Sequence, residues 1–201
     1  MTSTQGISRT KKKITICVCG LAGSGKSTVA KKIASRYGLK YYSGGDALKA
    51  VAADLGYDAD EEGWWETERG MNFLHRRLND LGLDRKVDEK LLSWAKDSAI
   101  VLDSWTMPWL FRDCFKIWLE ASEEVRAQRV AKRDNLSVEE ALGFLRERER
   151  KTRKIYKKLY GFNLGEDLDP FDLILDVSQL GEEEVFETLC LALDNLLFKK
   201  K

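Results

Sequence analysis

Histidine is almost missing from this chain: His75 is the only one in 201 residues. No serine, cysteine or carboxylate motif accompanies it, so histidine-based hydrolysis has no footing and His75 reads as an ordinary helix residue. Cysteine is sparse as well. Cys17, Cys19, Cys114 and Cys190 form no His/Cys cluster, which excludes a zinc site or a disulfide framework and leaves free thiols as the expectation. An excess of one charge is absent: 34 Lys and Arg stand against 33 Asp and Glu, a net charge of +1. That balance gives no global attraction to nucleic acid or to a membrane surface. No apolar run reaches membrane-spanning length. The polar first 13 residues carry lysines with neither an apolar stretch nor a small-residue cleavage site behind them, so no signal peptide is read and a cytoplasmic location is expected. Repeats and low-complexity linkers are missing too.

What is present is enough apolar residue, 43%, to pack one interior. A single domain over 1–201 is expected, and a monomer. Ile14 to Cys19 is a continuous, β-branched run ending at Gly20 and reads as a buried strand, with Cys17 and Cys19 on one face. Lys26 to Tyr37 reads as a helix stopped by Gly38. Lys40 to Tyr42 reads as a short strand before a turn, Ser43-Gly44-Gly45. Ala99 to Leu102, Phe115 to Leu119 and Leu173 to Val177 read as three further strands. Ser137 and Glu140 form a capping box that opens a helix running to about Lys158. Glu182 to Phe198 places Val185, Leu189, Leu193 and Leu196 on one face, with glutamates at its positive end. Strands alternating with helices predict a parallel sheet covered on both faces. The stretch from Asp46 to Lys96 is mostly helical and holds no convincing strand.

The decisive segment is Gly20-Leu21-Ala22-Gly23-Ser24-Gly25-Lys26-Ser27, followed by Thr28. It fits G-x-x-x-x-G-K-[ST] and lies between a buried strand and a helix, the context this motif requires. Its glycines let successive N–H groups turn inward around a β-phosphate. Lys26 reaches the β and γ oxygens, the Ser27 hydroxyl ligates Mg²⁺, and the helix adds its positive end. ATP and Mg²⁺ are therefore the expected cofactors. The predicted fold becomes a three-layer α/β/α P-loop NTPase fold with a five-stranded parallel sheet. Asp103, after the strand at Ala99 to Leu102, is either a turn residue or the carboxylate that orients the metal through water.

Charge is uneven along the chain: Asp54 to Glu68 is acidic and Arg146 to Lys158 is basic. Arg126, Arg129 and Arg133 recur at helical spacing. Either they form a solvated face with ion pairs, or they project together to neutralise a transferring phosphoryl group.

Beyond the phosphate loop, several short runs occur in a specific order. They are Tyr42-Ser43-Gly44-Gly45-Asp46, Asp84-Arg85, Ile117-Trp118-Leu119-Glu120-Ala121 and the run Val125 to Arg133. Leu136-Ser137-Val138-Glu139-Glu140-Ala141, Tyr160-Gly161 and Phe171-Asp172-Leu173-Ile174 follow. In these the chain resembles the nucleoside monophosphate kinases, and among them the archaeal-type cytidylate kinases, over roughly residues 14 to 197. The resemblance implies transfer of the ATP γ-phosphoryl group to CMP or dCMP, with small nucleotides rather than nucleic acid as partners. It places Ser43 and Asp46 at the monophosphate, and Lys49 where the family carries an arginine. It puts Asp84 and Arg85 on the nucleotide or its base, and Arg129, Arg133 and Arg148 around the transferring group. It also implies an acceptor-binding insertion near 46–96 and a short lid near 126–150.

The chain departs from the family pattern at two further points. Asp103-Ser104-Trp105 replaces a Glu-Gly-Arg run, and Ile155 stands where an arginine precedes the tyrosine. Lys151, Arg153 and Lys154 are candidate substitutes for the lost charge. Trp105 and Trp109 either stack on a flat acceptor or fill a wall of the core. Two other readings keep the ATP half: a kinase for a non-nucleotide acceptor, and an ATP-binding regulatory module without transfer.

Overall fold

A computed structural model describes residues 14–57, 80–97 and 99–198. The acidic run from Asp58 to Glu68, with Trp64 and Trp65, lies outside the described residues, as does His75. Strand β1 (Thr15–Gly20) is followed by helix α1 (Lys26–Tyr37), β2 (Lys40–Ser43), α2 (Gly44–Asp54) and α3 (Leu81–Asp97). Then come β3 (Ile100–Asp103), the single turn α4 (Met107–Leu110), β4 (Phe115–Glu120), α5 (Glu123–Asp134) and α6 (Val138–Tyr160). The chain closes with β5 (Leu173–Asp176) and α7 (Glu182–Leu193), which continues into a π-helical turn, Asp194–Phe198.

The five strands pair in the order β2-β3-β1-β4-β5, all parallel. Every residue of β1 is buried, as the centre of a sheet covered on both faces demands. The period-two alternation of the strand then sorts its side chains into layers. Ile16 and Val18 join Val29, Ile33, Leu189 and Leu193 from α1 and α7. Cys17, on the other face, joins Leu48, Val51, Leu83 and Leu91 from α2 and α3. Cys19 meets Trp118, Tyr156, Phe162 and Leu164. All four cysteines are free thiols, and Cys17 donates to Cys114 Sγ at 3.1 Å. The crevice outside the carboxyl ends of β1 and β3 is where a parallel sheet of this kind binds ligands.

Two local expectations are corrected. Ser43-Gly44-Gly45 is not a free turn: Ser43 is the N-cap of α2, and its hydroxyl accepts from the Asp46 N–H at 3.1 Å. The Asp46 carboxylate returns the bond to the Ser43 backbone at 2.7 Å, so a capping box starts a helix where two glycines suggested a loop. The second correction is Leu196, which is 61% exposed. The helix widens after Leu193, and a turn with more residues per rotation advances the apolar stripe to Leu197 and Phe198. Phe198 stacks on Tyr37 with ring centroids 4.2 Å apart. The capping box of Ser137 and Glu140 is present at the start of α6. Among the described residues, no helix is long and apolar enough to cross a membrane.

Candidate active site

The chain leaves β1 through Gly20, whose φ of +153° brings its Cα against the Leu119 carbonyl and Ser24. A Cβ there would sit 2.6 Å from both, so only glycine passes. Gly23 has φ +84°, and a Cβ would lie 2.7 Å from the Arg126 carbonyl oxygen. The loop is thus folded tightly against the first turn of α5. Leu21 and Ala22 are buried anchors in the neighbouring hydrophobic clusters. Ser24 donates its N–H to the Leu21 carbonyl at 3.2 Å, and Gly25 caps α1 in a left-handed conformation.

Two cavities meet at this loop. The first, of about 340 Å³, is lined by Gly23 to Thr28 together with Arg129, Arg133, Leu180 and Glu182. The second, of about 560 Å³, lies between the loop, α2, α3 and α6. Ser43, Asp46, Lys49, Asp84, Asp103 and Arg148 line it. Lys26 and Ser27 line both cavities. Burial holds the Lys26 ammonium below its ordinary pKa; the Asp103 carboxylate opposes that shift, while Arg148 and Arg133 add to it.

The arginines divide between these spaces. Arg129 donates to the carbonyls of Val177 at 2.8 Å, Leu180 at 3.4 Å and Ser24 at 3.4 Å, which fixes its guanidinium beside the loop. Arg133 forks onto Asp134 at 2.6 and 2.7 Å at the edge of the same cavity. Arg148 faces the second cavity, with its guanidinium 4.8 Å from the Trp105 ring centre. Arg126 does not project with the others. It is buried, ion-paired with the buried Glu149, and donates to the Ala22 and Ala121 carbonyls at 3.1 Å each. Its role is to tie α5 and α6 to the phosphate loop.

Asp103 ends β3 inside the second cavity and accepts from Tyr41 Oη at 3.2 Å. Burial, and then the Asp103 charge, push the Tyr41 phenol upward and keep it protonated. Lys49 and Asp84 face the same space, whereas Arg85 is exposed and does not line it. Lys151 pairs with Glu147 and Arg153 with Glu166, so neither reaches the cavity to replace lost charge. The two tryptophans are both half-buried against the same aromatic cluster; Trp109 stacks on Phe162 at 4.0 Å, while Trp105 also lines the second cavity.

One group escaped the sequence reading. Asp88 is buried in the cavity wall and accepts from Thr106 Oγ1 and Tyr160 Oη, each at 2.5 Å. The available signal was its place four residues after Asp84, which puts two acids beside the apolar face of Leu83, Val87 and Leu91.

The sequence profile of the Cytidylate kinase-like family matches residues 15–179. The chain belongs to that family. A cytidylate kinase of Pyrococcus horikoshii is 38% identical over 187 residues, covering 92% of this chain and 91% of its own length. One from Methanocaldococcus jannaschii is 32% identical over 186 residues, covering 90% and 98%. A crystal structure from Thermus thermophilus is 26% identical with a TM-score of 0.57, covering 92% of this chain and 99% of its own. Shikimate kinase from Bacteroides thetaiotaomicron reaches a TM-score of 0.58 over the same shares at 14% identity, a likeness of fold alone. The cytidylate kinase-like fold thus carries its phosphate loop at the junction of two cavities.

Proposed function

We propose that the protein transfers the γ-phosphoryl group of ATP to CMP or dCMP, giving ADP and the nucleoside diphosphate. One arrangement carries this reading: the ammonium at the start of α1 belongs to both cavities, so a donor on one side and an acceptor on the other share it. The relatives named cytidylate kinase support cytidylate as the acceptor, and they lend no support to a non-nucleotide acceptor or a regulatory module.

The residues divide the work as follows. Loop N–H groups and the amino end of α1 hold the donor phosphates in the first cavity. Lys26 and Arg148, with Arg129 and Arg133 from the donor side, neutralise charge that spreads over the transferring oxygens. Ser43 and Lys49 lie at the acceptor phosphate end, where Asp46 orients Ser43 by accepting from its hydroxyl, and Asp84 lies at the nucleoside end. Arg85, exposed and outside the cavity lining, takes no part. An acceptor phosphate oxygen is already nucleophilic, so positioning suffices and no general base is needed. The hydroxyl of Ser27 and the carboxylate of Asp103 line one cavity and offer the hard oxygen donors that suit magnesium. When bound there, the ion supplies further charge neutralisation at the phosphates. Helices α2 and α3 from the 46–96 segment wall the acceptor cavity, and Arg129, Arg133 and Arg148 from the 126–150 region frame the transferring group. Together they limit the access of water, which competes for the phosphoryl group. A cytoplasmic monomer completes the proposal.

A coupled ADP-release assay over CMP, dCMP, UMP and AMP tests it. Turnover is expected with the two cytidylates; ATP hydrolysis indifferent to all four would reject it.

A further inference from the structure

Trp105 stands where a cation is expected, and its contacts explain how the site works without one. The turn after β3 is built by Ser104, whose hydroxyl accepts from the N–H groups of Thr106 at 3.1 Å and Met107 at 3.3 Å. The indole N–H of Trp105 donates to the carbonyl of Gly20, the first glycine of the phosphate loop, at 2.7 Å. The ring is therefore bolted to the loop. Lys26 Nζ lies 5.4 Å from its centre and the Arg148 guanidinium 4.8 Å. Two cations from different helices share one indole.

Like charges brought this close repel, more strongly in a partly desolvated cleft. The Asp103 carboxylate supports the Lys26 charge from one side, and each further carboxylate would add repulsion against the incoming phosphates. The face of an indole attracts both cations without a net charge and without competing for the anion. Trp109, four residues on, packs against the same aromatic cluster but stacks on Phe162 and meets Phe171 edge-on.

We propose that Trp105 is a positioning residue: it gathers the Lys26 ammonium and the Arg148 guanidinium at the junction of the two cavities and ties both to the phosphate loop. The inference rests on phosphoryl transfer at this site. It predicts that preorganisation of charge is lost with the aromatic face, and that substrate affinity is largely kept.

Trp105→Phe keeps the π-face and loses the N–H; Trp105→Leu loses both. With CMP as acceptor, kcat is expected to fall about fivefold in the first and about thirtyfold in the second, while the Kd for ATP moves less than about threefold. Equal losses in the two variants, or a loss residing wholly in KM for CMP, would overturn the proposal. If the wild type releases no ADP with CMP, the functional reading has failed. The positioning claim is then decided by the Trp105 indole N–H resonance, assigned through its absence from Trp105→Phe. That resonance is expected to shift in Arg148→Leu; an unmoved resonance refutes the shared indole whether or not the enzyme turns over.

Discussion

Replacing Glu149 with glutamine removes one negative charge from beneath the phosphate loop and leaves the Arg126 guanidinium in place. Both side chains are shielded from water, at 4% relative exposure for Arg126 and 8% for Glu149. Arg126 keeps its bonds to the carbonyls of Ala22 and Ala121, so the cation cannot swing out without breaking them. An uncompensated charge in such a site costs about 3–5 kcal/mol. With an m value of about 2 kcal/mol/M, the urea midpoint is expected to fall by about 1.5–2.5 M at unchanged m. The pair Arg146–Glu123 supplies a control. It joins the same two helices at 2.7 Å, but Arg146 is 63% exposed there, and such a pair contributes only about 0.2–1 kcal/mol. Glu123→Gln should therefore barely move the midpoint. The double substitution Arg126→Met with Glu149→Leu should regain most of the loss, because nothing charged is left buried. If Glu149→Gln and Glu123→Gln shift the midpoint equally, the assignment of Arg126 as a buried strut is wrong.

Three further substitutions probe the site and the frame. Gly23→Ala combines a left-handed backbone with a Cβ 2.7 Å from the Arg126 carbonyl, so it is expected to cost about 1–3 kcal/mol and to weaken ATP binding by calorimetry. Lys26→Met should abolish turnover and yet stabilise the nucleotide-free protein at neutral pH. The Lys26 pKa in the fold lies below 10.5, so the unfolded chain binds the extra proton between those two values and wild-type stability rises with pH across that window. The advantage of Lys26→Met in urea unfolding should accordingly shrink as pH climbs toward 10.5. Leu193→Ala should cost about 2–5 kcal/mol, whereas Leu196→Ala, at an exposed position, should stay within about 0.5 kcal/mol by the same measurement.

The frame was readable because its signals are local. A β-branched run, a glycine-rich loop and a helix in immediate succession define β1, the phosphate loop and α1 with no knowledge of distant contacts. The two misread points are also local, but ambiguous in sequence. Gly44-Gly45 favours a turn until Asp46 closes a capping box, and Leu196 fits a 3.6-residue period that the chain abandons at a π-helical turn. The site was less legible because direction is not written in a charge run. Arg126 and Arg129 lie three residues apart on α5, yet one is buried against Glu149 and the other is held by three carbonyls beside the loop. Asp88 is joined to Tyr160 across 72 positions, a pairing that only the fold creates. Trp105 and Trp109 look alike on paper, and their different neighbours appear only when β3 and the phosphate loop are brought side by side.

The central claim is that a phosphoryl group passes from the first cavity to the second across Lys26. Incubation of the wild-type protein with γ-labelled ATP and CMP, followed by separation of the nucleotides, tests it directly. Label is expected in CDP, and none in CDP when Lys26→Ala replaces the wild type. Label released only as inorganic phosphate, or CDP labelled equally by Lys26→Ala, would contradict the account.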